Sequence, residues 1–177
     1  MKNVFPAIGF LLICTYTSMA QQDVAALNKK ETTKEKRELR KKEVSYQSKQ
    51  QFERDFPDAN QASWRVSPNF EEAAFMNNGT PTTAYYDNDS QLVGTTVIKS
   101  FSDLPAKAQE HIRSHYQGYK PGDVILFDDN EVNETDMVLY STAFDDEDNY
   151  FVPLKNAKET IILKVNMAGE VSFFKKV

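Results

Sequence analysis

The stretch that decides the fold is TPTTAYYDNDSQLVGTTVIKS, at residues 80–100. Two runs rich in threonine, valine and tyrosine flank the turn sequence DNDS, a combination that is typical of a β-hairpin. A similar unit, KETIILKVNMAGEVSFFKKV, occupies residues 158–177. The sequence therefore predicts that one strand–turn–strand unit is used twice.

A segment with helical periodicity precedes each of these two units. Apolar residues recur every four positions in both segments, at Phe52 and Phe56 in the first and from Leu104 to Tyr116 in the second. A shift of 60 residues aligns Phe52 with Ile112, and a shift of 79 residues aligns the two hairpin turns. The two helices are therefore expected to be equivalent to each other, and so are the two hairpins.

These patterns predict an α+β fold of two tandem repeats, each a helix followed by an antiparallel sheet. The first repeat would span about residues 45–100 and the second about 101–177, and the strands would form one sheet with the helices on one face. We expect the additional residues of the second copy in the acidic stretch 128–148, as two long strands. One copy alone would form a small sheet of marginal stability, so duplication provides a shared core.

The first 20 residues have the layout of a secretory signal peptide. An apolar run extends from Val4 to Cys14, and the small residues Ser18 and Ala20 precede the expected cleavage site. This run is too short for a transmembrane helix, which needs about 20 apolar residues. Cys14 leaves lipidation as an alternative, and removal of this only cysteine excludes a disulfide. We expect cleavage after Ala20, a periplasmic or secreted location, and no transmembrane segment after signal removal.

Residues 21–44 are predicted to be a basic linker or frayed helix before a domain at 45–177. Eight basic residues and four glutamates lie between Lys29 and Glu43, whereas the chain from Gln61 onward has 10 basic and 18 acidic residues. A basic segment can bind nucleic acid. Export and the lack of interleaved aromatic residues argue against this, so we expect no nucleic-acid partner.

Several motifs resemble the PepSY-like family, also called beta-lactamase-inhibitor-protein-like, which is common in exported proteins of the Bacteroidetes. The motifs are F…FPDA…W at 52–64, AYYDNDSQL at 84–92, LPAKAQEHIRSHYQGY at 104–119 and VNMAGEVSFF at 165–174. The resemblance implies two tandem helix-plus-sheet units with the helices on one side. It also implies binding or inhibition instead of catalysis, since the relative best understood in shape inhibits a hydrolase through its open sheet face. No inhibitory residue of the family has a matching motif in this chain.

Two groups of side chains are candidates for binding metal ions. His111 and His115, the only histidines, have the i,i+4 spacing with which one helix face can chelate zinc, but no glutamate follows His111 as in a zinc protease. The acidic turns, above all Asp145, Asp146 and Asp148, offer oxygen ligands for calcium without the spacing of a calcium loop. A calcium- or zinc-binding envelope protein is therefore the alternative function, and no cofactor is expected.

Sequence motifs of catalysis are missing. The chain has no Gly-x-Ser-x-Gly elbow and no Gly-rich phosphate loop. Its paired carboxylates lie in acidic turns, without apolar neighbours that would raise a pKa for acid–base chemistry. The sequence predicts that the protein is not an enzyme.

Large apolar side chains alternate onto both sides of the predicted strands in the second repeat. Strands with one face in water usually have polar residues on that face, so we expect an aromatic-rich surface that binds a protein or peptide. The predicted binding residues are Tyr140, Phe144, Ile162 and Phe174. The alternative is that the N-terminal helix or a second copy, in a homodimer, covers this face. The sequence thus favours an exported, non-catalytic module that binds a protein or peptide, and inhibition of a hydrolase is one form that this binding could take.

Overall fold

The structure, a computed structural model, describes residues 43–59, 61–145 and 147–177. The predicted signal peptide, with its cleavage site and Cys14, and the predicted linker up to residue 42 lie outside the described residues. No helix in the described part of the chain is long and apolar enough to cross a membrane.

The described residues form two α-helices and eleven strands. Helix α1 is Tyr46–Asp55 and helix α2 is Ala106–His115, and a 3-10 turn at Phe101–Asp103 precedes α2. The strands are, in chain order, β1 Ala62–Val66, β2 Glu71–Asn77, β3 Thr80–Tyr86, β4 Leu92–Lys99, β5 Lys120–Pro121, β6 Val124–Asp129, β7 Met137–Leu139, β8 Thr142–Phe144, β9 Asn149–Lys155, β10 Thr160–Asn166 and β11 Val171–Lys176.

Nine of these described strands form one antiparallel sheet. Its order is β1-β2-β3-β4-β6-β9-β10-β11, and the short β5 pairs with β9 next to β6. The other two strands, β7 and β8, pair only with each other and form a separate hairpin. The chain therefore has the predicted α+β composition, a mostly antiparallel sheet with two helices.

Both helices pack on the same face of the sheet, here called the helix face. Phe52 of α1 lies in a buried cluster with Phe75 of β2, and the two ring centroids are 4.9 Å apart. Ile112 of α2 lies in a second buried cluster with Leu163 of β10. The register of β3, β4 and β6 continues this face from one cluster to the other. The opposite side of the sheet is called the outer face below.

The two helices end in the same way. The backbone N–H of Phe56 donates to the carbonyl of the residue four positions earlier at 2.9 Å, and that of Tyr116 does so at 3.0 Å. Ser45 is the N-cap of helix α1: its Oγ accepts from the Ser48 N–H at 3.0 Å and donates to the carboxylate of Glu71 at 2.8 Å. This cap also attaches the helix to strand β2.

The turns after β3 and β10 are alike as well. Asp87 and Asn166 each accept, on their Oδ1, a hydrogen bond from the backbone N–H four residues later, at 2.9 and 2.8 Å. The fourth residue of each turn, Ser90 or Gly169, has a positive φ, of 62° and 79°. The shift of 79 residues therefore aligns turns of the same geometry.

The prediction of two long strands in the stretch 128–148 is wrong. Strands β7 and β8 have three residues each, and the turn between them has positive φ at both central residues, 51° at Tyr140 and 57° at Ser141. Such angles are the signature of a tight hairpin turn. Met137 consequently pairs with Phe144, so both side chains lie on one side of the hairpin, whereas a continuous strand would place them on opposite sides.

Candidate binding surface

Hairpin β7–β8 covers the outer face of the second half of the sheet. Met137 and Phe144 of the hairpin lie in one buried cluster with Phe127, Phe151 and Ile162 of the sheet. The ring of Phe144 is 5.2 Å from that of Phe127 and 4.7 Å from that of Phe151, measured between centroids. The sheet is therefore covered on both sides here, by α2 on the helix face and by the hairpin on the outer face.

All four predicted binding residues lie in or against this cluster. Phe144 and Ile162 are 6% and 1% exposed, so the expectation that they form an exposed surface is wrong for these two. Tyr140 and Phe174 are half-buried at its margin, and the Nζ of Lys175 donates to the carbonyl of Tyr140. The layer over this face is a hairpin of the same chain, because the acidic stretch folds back on the sheet. A binding role for Tyr140 and Phe174 stays a prediction.

The connection from β6 to the hairpin, residues 130–136, is tied to the first half of the sheet. The side-chain amides of Asn130 and Asn133 donate to the carbonyl of Leu92 at 2.7 and 3.1 Å. Asn133 also donates to the Oδ2 of Asp87, at 3.0 Å. These bonds fix the position from which the hairpin starts, so the hairpin is an integral part of the domain.

The outer face of β1–β4, here called the open half, presents exposed apolar side chains to solvent. Met76 of β2 pairs with Pro81 of β3, and the pairing of Thr82 with Val97 places Ile98 of β4 beside Pro81. Met76 and Ile98 are 56% and 57% exposed, and Pro81 is exposed too. We call these three residues, Met76, Pro81 and Ile98, the apolar row.

The other end of the open half carries an ion pair. Arg65 and Glu72 are cross-strand partners on β1 and β2, and the Nη2 of Arg65 donates to the Oε2 of Glu72. The Glu72 side chain is 9% exposed and that of Arg65 75%. The hydrogen bond with Glu72 raises the pKa of Arg65, so the guanidinium stays charged. Next to Glu72, burial raises the pKa of Tyr85, whose hydroxyl lies 3.1 Å from the Oγ1 of Thr96.

The two histidines are stacked on α2. Their ring centroids are 4.1 Å apart and the ring planes of His111 and His115 differ by 15°. In parallel rings the in-plane nitrogen lone pairs run side by side and do not converge on one ion. The Nδ1 of His115 lies 2.9 Å from the Oγ of Ser114 and 3.0 Å from the carbonyl oxygen of His111. This arrangement gives the zinc alternative no support.

The acidic turn at residues 145–148 contacts neighbouring strands of the sheet. The Oδ2 of Asp145 lies 3.9 Å from the Nζ of Lys164, and the Oδ1 of Asp148 accepts from the Asp129 N–H at 2.8 Å. Asp146 lies outside the described residues. Within the described ranges, no group of three or more His, Cys, Asp or Glu side chains is arranged to hold a metal ion.

Sequence reasoning did not single out the apolar row or the ion pair of Arg65 and Glu72. The signal was present in EEAAFMN at residues 71–77, where Ala73 and Phe75 point to the helix face and the residues between them point outward. The alternation alone does not reveal which strands a hairpin from elsewhere in the chain will cover. The exposed face was therefore expected on strands that hairpin β7–β8 covers at Phe144 and Ile162.

Comparison with solved structures defines the class of this protein: it has the BLIP-like fold. A BLIP-like protein from Bacteroides fragilis is similar over 76% of this chain and 87% of that chain, with a TM-score of 0.59 and 16% identity. A DUF2874 family protein from Bacteroides uniformis matches over 76% and 91%, with a TM-score of 0.62 and 14% identity.

A third structure, from Bacteroides eggerthii, matches over 76% of this chain and 90% of that chain, with a TM-score of 0.61 and 12% identity, and its name proposes a periplasmic location. No protein-family model matches the sequence, and no curated protein matches it. The BLIP-like resemblance is confirmed at the level of the fold, and the PepSY-like part of it stays a prediction.

Proposed function

We propose that the protein is an exported, non-catalytic module that binds a protein or peptide partner through the open half of its outer face. The observation that carries this proposal is the apolar row, in which Met76 and Ile98 are 56% and 57% exposed beside Pro81. Adjoining exposed apolar side chains are a usual feature of protein-binding surfaces. A sheet holds them in fixed positions, which limits the loss of conformational entropy on binding.

The residues around the apolar row suit the same role. Ser63 and Ala74 are cross-strand partners on β1 and β2, and both are small and exposed. A shallow depression next to the row is lined in part by Ser63, Ala74 and Met76. Small side chains of this kind allow a partner to approach the sheet closely, so that its apolar groups can reach Met76.

A narrower form of the proposal is that the partner is an exported hydrolase, which the module inhibits. It is supported by the fold shared with a BLIP-like protein and by the sequence resemblance, which implies inhibition through an open sheet face. Met76 and Ile98 on the outer face of β1–β4 stay exposed beside hairpin β7–β8, so the hydrolase would contact the apolar row. Export is supported by the signal-peptide pattern of residues 1–20 and by the name of the Bacteroides eggerthii protein.

We also infer that the two halves arose by duplication. Equivalent helix ends at Phe56 and Tyr116 support this inference, and so do equivalent turns at Asp87 and Asn166. On this interpretation the hairpin is an addition to the second copy. The first copy then retains the uncovered face that binds the partner.

The double variant Met76→Asp/Ile98→Asp tests the binding surface. A partner would have to remove both carboxylates from water, so we expect its capture from a native envelope extract to fall roughly tenfold or more. Both side chains are largely exposed, so the free energy of unfolding is expected to change by only about 1 kcal/mol. Capture is measured by quantitative mass spectrometry, and unfolding by urea titration.

The matched control is Val132→Asp. Val132 is 91% exposed, lies on the 130–136 connection and does not belong to the apolar row. The control adds one carboxylate where the double variant adds two, and it leaves the apolar row unchanged. The proposal is wrong if the double variant retains the partners of the unmodified chain, or if Val132→Asp loses the same partners.

A further inference from the structure

The open half has a distinct charge pattern. Among the described outer-face positions of β1–β4, the charged residues are Arg65 and Glu72, which pair with each other. The remaining outward positions are occupied by uncharged side chains or glycine. From Gln61 onward, however, the chain has 10 basic and 18 acidic residues. The open half is thus a neutral surface on an acidic domain.

Glu72 is the residue that produces this neutrality. Its side chain is 9% exposed and lies beneath the guanidinium of Arg65, which is 75% exposed. A buried carboxylate is costly unless it is paired, and here the pairing holds Arg65 against the sheet. One guanidinium nitrogen of Arg65 donates a hydrogen bond to Glu72. The other N–H donors of the guanidinium are available to a partner.

We propose that the open half is selective for an uncharged, apolar protein segment and that Glu72 determines this selectivity by neutralising Arg65. This deepens the proposed function and rests on it. The side chains of the segment would pack on the apolar row, and one of its carbonyl oxygens would accept from Arg65. An acidic segment gains little at this surface, because Glu72 already compensates the guanidinium.

The distance between the two features defines the size of the segment. Glu72 and Met76 are at opposite ends of β2, four residues apart, which corresponds to about 13 Å along a strand. An extended partner that contacts both must therefore span about five residues. This length is within reach of a single loop or strand of a partner protein.

The test is a selection of random peptides displayed on phage against the chain purified after export. Peptides enriched on the unmodified chain are expected to be apolar with a mean net charge near zero, and to be lost on Met76→Asp/Ile98→Asp. On Glu72→Gln the unpaired Arg65 should shift the enriched peptides to negative net charge. An acidic peptide from that selection should bind Glu72→Gln about threefold or more tightly than the unmodified chain, with a gain that decreases at high salt.

Arg65→Gln/Glu72→Gln is the matched control, because it restores neutrality without restoring the carboxylate. It should again enrich neutral peptides, and urea titration confirms that each variant is folded. Two results overturn the selectivity inference while the apolar row stays the binding site. One is enrichment of acidic peptides on the unmodified chain, and the other is that peptides enriched on Glu72→Gln have the same mean net charge as those enriched on the unmodified chain. If the unmodified chain enriches no peptides beyond those of Met76→Asp/Ile98→Asp, the proposed function itself fails.

Discussion

The two halves of the sheet share one plan and differ in what covers their outer faces. In the second half, Phe127 and Phe151 meet Phe144 of the hairpin and are buried. In the first half, the outward side chains Met76 and Ile98 are aliphatic and more than half exposed. Aromatic residues on a second sheet face thus mark a place where another layer packs, because their large apolar area is stabilising only when it leaves water.

Removal of the hairpin's main aromatic contact should have the largest effect on stability. We expect Phe144→Ala to lower the free energy of unfolding by about 3–5 kcal/mol, since it leaves a cavity among buried rings. Phe144 is 6% exposed and its ring contacts those of Phe127 and Phe151. Urea titration followed by circular dichroism measures the change.

Met76→Ala is the control from the uncovered half. Met76 is 56% exposed, so its truncation is expected to cost only about 0.5 kcal/mol. Equal stabilities of the Phe144→Ala and Met76→Ala variants would mean that the hairpin does not belong to the core, and the contrast between the two outer faces would then disappear.

The shared plan of the two halves was accessible from the sequence because local patterns encode it. The four-residue period that contains Phe52 and Ile112 predicted both helices, since each needs one apolar stripe toward the sheet. The turn residues at Asp87 and Asn166 predicted both terminal hairpins, because Asp and Asn side chains bond to their own turn backbone. These features depend on residues close in sequence.

The covered outer face was not accessible in this way. The chain reverses direction at Tyr140 and Ser141 of the hairpin, and both residues have positive φ. Neither is the glycine or asparagine that usually signals such a turn. Burial of Met137 and Phe144 and the contact from Lys175 to the Tyr140 carbonyl stabilise it, and these are contacts distant in sequence. The location of the exposed apolar row follows from the location of this hairpin, so the candidate site was missed together with it.

The equivalent turns at Asp87 and Asn166 should differ in their contribution to stability. Asp87 accepts from its own turn and, through its Oδ2, also from Asn133 at 3.0 Å and Thr135 at 3.4 Å. Asn166 bonds within its own turn, to the backbone and side chain of Glu170. We expect Asp87→Ala to cost about 1–3 kcal/mol and Asn166→Ala about 1 kcal/mol.

Urea titration of the two alanine variants measures this difference, and Asp87→Asn serves as the control. The amide side chain of this control retains one acceptor oxygen for the turn, so its stability is expected to fall between those of the unmodified chain and Asp87→Ala. Equal costs for Asp87→Ala and Asn166→Ala would contradict a stabilising role of the 130–136 connection, since Asp87 accepts hydrogen bonds from that connection and Asn166 bonds to Glu170 of its own turn.

The smallest expected effect concerns the β9–β10 turn, which contains an ionisable contact. Hydrogen bonds from Lys176, at 2.8 Å, and from Tyr119 hold the pKa of Glu159 below its ordinary value. The pKa is lower in the folded chain than in the unfolded chain, so the ionised carboxylate stabilises the fold. This contribution is complete above the ordinary glutamate pKa of about 4.3 and is lost as the pH falls through the lowered folded value.

Glu159→Gln should therefore lower the urea midpoint slightly at pH 7, and the difference from the unmodified chain should vanish in the acidic range below the ordinary glutamate pKa. The corresponding β2–β3 turn, at Asn78 and Gly79, has no ionisable side chain. Thr80→Ala at the end of that turn is thus expected to shift the midpoint equally at all pH values. A pH-independent difference for Glu159→Gln would mean that the contact with Lys176 contributes no ionic stabilisation, and that the two halves do not differ in this respect.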